Sequence, residues 1–333
     1  MTSESISNVI DNGYCIGCGA CKAFDQVGFS IKRDVYESFT ANISPGADTE
    51  IASEVCPFSN NGLNENQISK ALYPNAKHEN KYLGRYTSLY VGYVAEGDYR
   101  ALGSSGGFGK WVLAELLISG LVDFVLQVRE GSDTTPTGSL YEYSIVSEPS
   151  QVIFGSKSAY YPIEMSGVLQ HVRENPGRYA ITGVPCFIKA VRLLILQEKV
   201  FSERIIFCIG MFCGHLKSAA YAELLGWQMG IEPDQLSAID FRGKMEGKPA
   251  NVKGIYASAG DKEEQSRVGP AVTRDLFGGK NKGSHILLKK PPLNLLSTSN
   301  KAAQCLRSSK LSRLAIFQSQ ALECQFSLRI WAC

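Results

Sequence analysis

Apolar and polar positions alternate differently in different parts of this chain. Near the N-terminus, FSIKRDVYESFTANIS has partial period-two alternation and predicts a short hairpin. Further on, SLYVGYVAEGDYRALGSSGGFGKWVLAELLISGLVDFVLQV predicts an apolar strand, a Gly/Ser loop, a helix and a second strand. Phe108 to Ile118 carry that helix's apolar face, Ser104 or Ser105 is the expected cap, and Gly120 the stop. GRYAITGVPCFIKAVRLLILQEK repeats the plan, with YAITGV as a strand and CFIKAVRLLILQ as a helix that has Pro185 near its first turn. RIIFCIGMFCGHLKSAAYAELLGWQMG is a third such unit. Strands alternating with helices predict an α/β sheet, in which ligands gather at the carboxyl ends of the strands.

Composition adds little beyond a globular class. The chain has 333 residues, long enough for about two domains, with 44% hydrophobic and 20% charged residues. The start, MTSESISNVIDNG, has no basic or apolar leader region, and no apolar run approaches the ~18 residues of a membrane span, so the expected location is the cytoplasm. Charge is uneven: residues 276–333 hold nine Lys/Arg and one acid, Glu323, against 25 basic and 31 acidic residues before them. A basic tail without a reading module is poor grounds for nucleic-acid binding.

Ten cysteines change the picture more, because in a reducing compartment they point to metal ligands, redox groups or core positions. CIGCGAC places Cys15, Cys18 and Cys21 at intervals of three, with Gly17, Gly19 and Ala20 small enough for close backbone approach. Such a run suits three corners of a 4Fe-4S cubane. The fourth position of a ferredoxin run is Asp25 here, and Cys56-Pro57 resembles the end of a second run whose earlier cysteines are replaced by Gly46, Thr49 and Ala52. Crossed ligation then assigns Cys56 to the first cluster, predicting one centre. Structural zinc also uses four cysteines, usually as two separated pairs, a pattern this spacing fits less well. Tyr14, Phe24 and Phe58 are candidates for excluding water, or simply core aromatics.

Other candidates lie in the larger part. The loop Ser104, Ser105, Gly106 and Gly107 at a helix start exposes N–H groups to a cofactor phosphate, although turn geometry alone explains most such loops. Cys186 falls at a helix N-terminus that favours a thiolate, and Cys213 just past a strand; Cys208 reads as core. Lys189, Arg192, His215 and Lys217 bring positive charge to the same junctions. No G-x-G-x-x-G fingerprint, P-loop, Ser-His-Asp set or carboxylate pair is present.

CIGCGAC with Cys56-Pro57, then GSSGGF, TGVPCFIKAVR, FCGHLKS and IDFRGK with the following PAN, occur in an order that resembles the coenzyme F420 hydrogenase/dehydrogenase beta-subunit family of iron-sulfur flavoproteins. The resemblance spans about residues 12 to 255. It implies a flavoprotein carrying FAD, fed through iron-sulfur clusters and exchanging a hydride with a small-molecule acceptor such as the deazaflavin F420 or, in ferredoxin-dependent relatives, tetrapyrroles. It implies that Ser104 to Gly107 with Thr182 and Gly183 line the flavin site and that Cys186 and Cys213 serve a second cluster; Lys189, from its place at a helix junction, is the cation expected beside the cofactor. Ferredoxin or another redox protein is the implied partner, with oligomerisation open.

The expected fold is therefore α/β (α+β overall): a small ferredoxin-like 4Fe-4S domain over 1–75, a larger α/β flavin-binding domain with a mixed sheet over 85–277, and an atypical basic tail over 278–333. Family members normally continue with a C-x-x-C pair and acidic strands, whereas this chain runs GKNKGSHILLKKPPLNLLSTSNKAAQCLRSSK to IWAC; Cys305, Cys324 and Cys333 do not restore the spacing. A frame-shifted or unrelated terminus from about Gly279 is the expectation, testable by resequencing. The alternatives to a flavin-dependent oxidoreductase are a non-catalytic electron-transfer protein and an inactive product.

Overall fold

A computed structural model describes residues 5–131, 139–213, 216–245, 247, 253–260 and 262–268. The basic tail, with Cys305, Cys324 and Cys333, lies outside the described residues, as do His215 and the PAN segment. Helix α1 (Ile6–Asp11) buries Ile6 and Val9, and the cysteine loop leads into α2 (Ala20–Phe24). The expected hairpin forms: β1 (Phe29–Arg33) pairs antiparallel with β2 (Phe39–Ile43), Phe29 opposite Ile43. The Asp34 carboxylate accepts from the N–H groups of Tyr36 (2.9 Å) and Ser38 (3.0 Å) and so closes its turn. Helix α3 (Thr49–Val55), capped by Asp48, ends on Cys56, and α4 (Glu65–Leu72) opens on a reciprocal capping box between Asn64 and Gln67. A small hairpin of β3 (His78–Asn80) and β4 (Gly84–Tyr86) follows.

The larger part is built on a mixed sheet. Its helix α5 (Phe108–Ile118) precedes β5 (Phe124–Glu130) and β6 (Tyr141–Val146). Then come α6 (Ser166–Glu174), β7 (Tyr179–Gly183), α7 (Pro185–Gln197), α8 (Lys199–Arg204) and β8 (Ile205–Gly210). The strand order is β6-β5-β7-β8, parallel except where β6 runs antiparallel to β5. Successive residues face opposite sides: Leu126, Tyr179 and Ile181 pack with Val168 and Leu169 of α6 and Leu194 of α7, whereas Val125, Ala180 and Ile209 pack with Leu113 and Ala114 of α5. Last come α9 (Ala219–Gln228) and the antiparallel β9 (Leu236–Lys244), β10 (Lys253–Ala259) and β11 (Lys262–Val268), whose core joins Tyr141 and Tyr161 to Leu225, Ile239 and Phe241.

Two expectations fail locally. SLYVGYV is not a strand: among the described residues it pairs with no neighbour, and Leu89, Tyr90 and Val91 are exposed. Strand propensity stabilises only a backbone that finds a ladder, and here the segment is tied only at its end, by the Val94 N–H on the Gly106 carbonyl at 2.9 Å. Neither Ser104 nor Ser105 caps α5; the cap is Gly107, in the left-handed region at φ +84°. An added Cβ there would stand 2.7 Å from the Tyr99 carbonyl, so this turn needs glycine.

Candidate functional site

Cys15, Cys18, Cys21 and Cys56 line one cavity, otherwise walled by apolar groups that include Ile6, Val9, Ile31 and Phe58. Of the three aromatics considered, Phe58 is at the cavity, Phe24 packs on the large core and Tyr14 is 40% exposed. Asp25 accepts from the N–H groups of Val27 (3.1 Å) and Gly28 (2.8 Å), a turn-closing task, and Ala52 is wholly buried in the small core. The fourth ferredoxin position and one vanished ligand position have thus become structural residues.

The loop is held tightly on both sides. Gly17 (φ +60°) has no room for a side chain, because an added Cβ would stand 2.5 and 2.6 Å from the carbonyl carbon and oxygen of Phe39 in β2. At Gly19 (φ +87°) the obstacles are Glu164 Oε2 at 2.6 Å and the Ser166 nitrogen at 2.7 Å, on the approach to α6. The Met165 N–H donates to the Cys18 carbonyl (3.0 Å). Cys18 accordingly belongs to the core of the large sheet, while Cys21 and Cys56 belong to the small N-terminal core.

Burial pushes the Cys18 and Cys21 thiols well above their usual range, with neighbouring sulfurs adding to the effect. Burial also pushes Cys56 up to about 11, opposed by N–H groups of Phe58 and Ser59 and by the Lys189 charge. Thiols as buried as those of Cys18, Cys21 and Cys56 give up their protons readily only to a strongly charged centre. Cys15 Sγ already accepts from the N–H groups of Gly17 (3.4 Å) and Ala41 (3.3 Å), the bonds that stabilise a ligating thiolate. Among the described residues no group of three or more His, Cys, Asp or Glu side chains is arranged to hold a metal ion.

The second set of candidates gathers at the carboxyl ends of β7 and β8. The Met211 N–H donates to the Gly183 carbonyl (2.8 Å), and Gly109, in the first turn of α5, faces the Met211 side chain. Tyr143 donates to the Thr182 carbonyl (2.7 Å), stacks on Phe187, and has its hydroxyl held protonated first by burial and then by the proximity of Cys186 and Cys18. Tyr143, partly buried, therefore stands near both Cys18 of the cysteine cavity and the end of β7. Cys186 opens α7 and Cys213 lies just past β8, both half-buried; Cys208 is core, as expected.

Charge is placed differently from the sequence expectation. Lys189 pairs with Glu65 of α4 (3.3 Å), near Cys56, on the side of α7 turned to the N-terminal head. Arg192 lies over the Tyr73 ring at 5.2 Å and Lys217 over Tyr221 at 5.3 Å. The residues that sequence reasoning missed are Lys157, Arg242, Lys244 and Lys253: Lys253 Nζ donates to the Ser104 carbonyl (2.9 Å), and Arg242 reaches Ser158, itself bonded to Ser104 Oγ. IDFRGK was the available signal, since its period-two alternation puts Asp240, Arg242 and Lys244 on one face of β9.

Among the described residues no helix is long and apolar enough to cross a membrane. The family described as "Coenzyme F420 hydrogenase/dehydrogenase, beta subunit" matches in two parts, its N-terminal part over residues 89–170 and its C-terminal part over residues 177–272. A component of the F(420)H(2) dehydrogenase of Methanosarcina mazei is 24% identical over 220 residues, covering 62% of this chain and 55% of the relative, so the chain spans about half that relative's length. A xenon-derivatized structure of the F420-reducing NiFe hydrogenase complex from Methanosarcina barkeri contains a chain with TM-score 0.43 and 16% identity, covering 60% of this chain and 65% of its own. With both halves of the beta-subunit description matched in order, the chain belongs to the coenzyme F420 hydrogenase/dehydrogenase beta-subunit family.

Proposed function

We propose that this protein is an iron-sulfur flavoprotein oxidoreductase that takes electrons from a ferredoxin-like donor and delivers them to an organic acceptor of the deazaflavin F420 class. Residues 1–75 would form the iron-sulfur domain and 85–277 the flavin-binding domain. The observation that carries the reading is the cavity lined by Cys15, Cys18, Cys21 and Cys56, with Tyr143 near Cys18 and bonded to the Thr182 carbonyl of β7. Soft thiol donors, an apolar wall and N–H groups directed at Cys15 fit a 4Fe-4S cluster. FAD would lie between the Ser104–Gly107 loop, which opens α5, and Thr182 and Gly183 at the carboxyl end of β7. When bound, these groups supply one-electron steps and two-electron storage respectively.

The chain's own residues bind, orient and shield. The four thiols would ligate the cluster, Phe58 and α1 would keep water from it, and Lys189 would hold positive charge beside Cys56. Tyr143 fixes the Thr182 carbonyl at the strand end. Cys186 and Cys213, at adjacent strand ends, are the candidates for a second cluster.

Anaerobic purification tests the reading directly. A yellow-brown protein with iron, sulfide and FAD released on denaturation is expected, followed by reduction of the bound flavin by ferredoxin and turnover in a screen of deazaflavin acceptors. Iron and sulfide without flavin would instead make it a non-catalytic electron carrier, and a colourless protein with stoichiometric zinc would sink the cluster assignment.

A further inference from the structure

Beside the Ser104 loop, positive charge accumulates with little to balance it. Ser158 brings both its N–H and its hydroxyl within 3.1 Å of Ser104 Oγ, and Arg242 Nη1 lies 3.4 Å from Ser158 Oγ. Lys253 Nζ donates to the Ser104 carbonyl at 2.9 Å, and Lys244 Nζ to the Arg100 carbonyl. Lys157 pairs with Asp240 at 2.6 Å, a carboxylate that also accepts from the Arg242 N–H at 2.9 Å. Among the described residues Lys157 alone of these four pairs with an acid, Asp240, whose charge also acts on Lys253. Burial, followed by the proximity of the other cations, lowers the proton affinity of both Lys253 and Lys244. Like charges brought this close in a partly desolvated place are stabilised by an anion from outside. Each lysine has three donors and the guanidinium five, so the bonds they make here leave donors over for one.

We propose that Lys157, Arg242, Lys244 and Lys253, set around Ser104 and Ser158, form a binding site for a phosphate ester. The occupant is the diphosphate of the flavin dinucleotide; that identity, and only that, rests on the flavin reading above. The assignment has physical grounds. Ser104 is at once part of the turn into α5, whose Gly109 faces Met211 at the Gly183 strand end, and a partner of Lys253. One extended ligand can therefore place a ring at β7 and its phosphates among the cations of β9 and β10. The four side chains then act as specificity determinants, which recognise the phosphorylated form of a ligand over its dephosphorylated form.

The full chain, stripped of cofactor, is titrated with riboflavin, FMN and FAD by flavin fluorescence, and with inorganic pyrophosphate as competitor. FAD is expected to bind at least about tenfold tighter than riboflavin, with pyrophosphate competing against FAD only. Lys253→Gln and Arg242→Gln should each weaken FAD about tenfold, the worth of one charge-assisted bond, and leave riboflavin unchanged. Lys244→Gln, near the surface, gives the same readout with little risk to folding. Variants that bind FAD and riboflavin as the parent does would overturn the proposal, as would indifference to pyrophosphate. If no flavin binds but pyrophosphate raises the unfolding midpoint of the parent and not of Lys253→Gln, the phosphate site stands with a phosphorylated acceptor as its occupant, and the flavin reading falls.

Discussion

Replacing Gly17 by alanine isolates how closely the cysteine loop presses on β2. Two costs are involved. The residue sits at φ +60°, and a side chain in the left-handed region costs roughly 1–2 kcal/mol. In addition the new Cβ would stand 2.5 Å from the Phe39 carbonyl carbon and closer still to its Cβ, so the strand backbone must retreat, and overpacking of this kind costs about 1–3 kcal/mol. Gly46→Ala provides the control, because Gly46 has φ +84° with nothing within 4 Å of an added Cβ and carries only the first cost. Anaerobic urea unfolding of both variants should therefore place Gly17→Ala below Gly46→Ala by about 1–3 kcal/mol. Iron content on reconstitution should fall with it, since displacing β2 also moves the Ala41 N–H away from Cys15 Sγ. Equal midpoints would refute the close approach and, with it, the view that glycine is needed there for the loop to wrap a ligand.

Tyr143→Phe removes a partly buried donor from the Thr182 carbonyl and should cost about 1 kcal/mol in denaturant unfolding while slowing reduction of bound flavin; unchanged stability would show the bond to be idle. Lys189→Met breaks a largely buried pair with Glu65, for about 1 kcal/mol, and should lower the reduction potential of a cluster at Cys56 in a redox titration because a stabilising positive charge is lost. The pH dependence of stability has a definite sign at Lys110, whose ammonium donates to the Leu102 (3.3 Å) and Ile153 (2.7 Å) carbonyls. Burial, with Lys157 adding to it and Asp240 and Glu130 opposing it, lowers Lys110 to about 8. The protein should accordingly gain stability from pH 8 towards 10.5, where only the unfolded chain holds that proton. Denaturation midpoints that stay flat between about pH 8 and 10 would count against it.

What the sequence disclosed and what it withheld follow from how local each signal is. Cys15 and Cys18 lie on one loop and Cys21 in the first turn of α2 that follows, so their shared cavity was legible from spacing, and Cys56 from its proline and the crossed pattern. The α5, α7 and β7 units were legible because each carries its own periodicity and its own glycine or proline boundary. SLYVGYV misled because its alternation is equally compatible with an unpaired stretch. The clustering of Lys157 with Arg242, Lys244 and Lys253 was illegible for a different reason. It requires the segment around Ser158 and the sheet of β9 and β10 to meet at Ser104, a contact between segments 54 and 149 residues apart that no local pattern encodes. Lys189 shows the converse: placement at a helix start indicated a ligand-facing charge, and the facing surface proved to be Glu65.

Cys18 sits in one core and Cys21 and Cys56 in another, with the Met165 N–H on the Cys18 carbonyl between them. A group bonded to all of these sulfurs would work as a rivet as well as a redox centre, fastening the N-terminal head to the sheet behind it. Oxygen damage would then do more than bleach the protein: it would release a mechanical fastening, and protease sensitivity around residues 60 to 90 would report the loss.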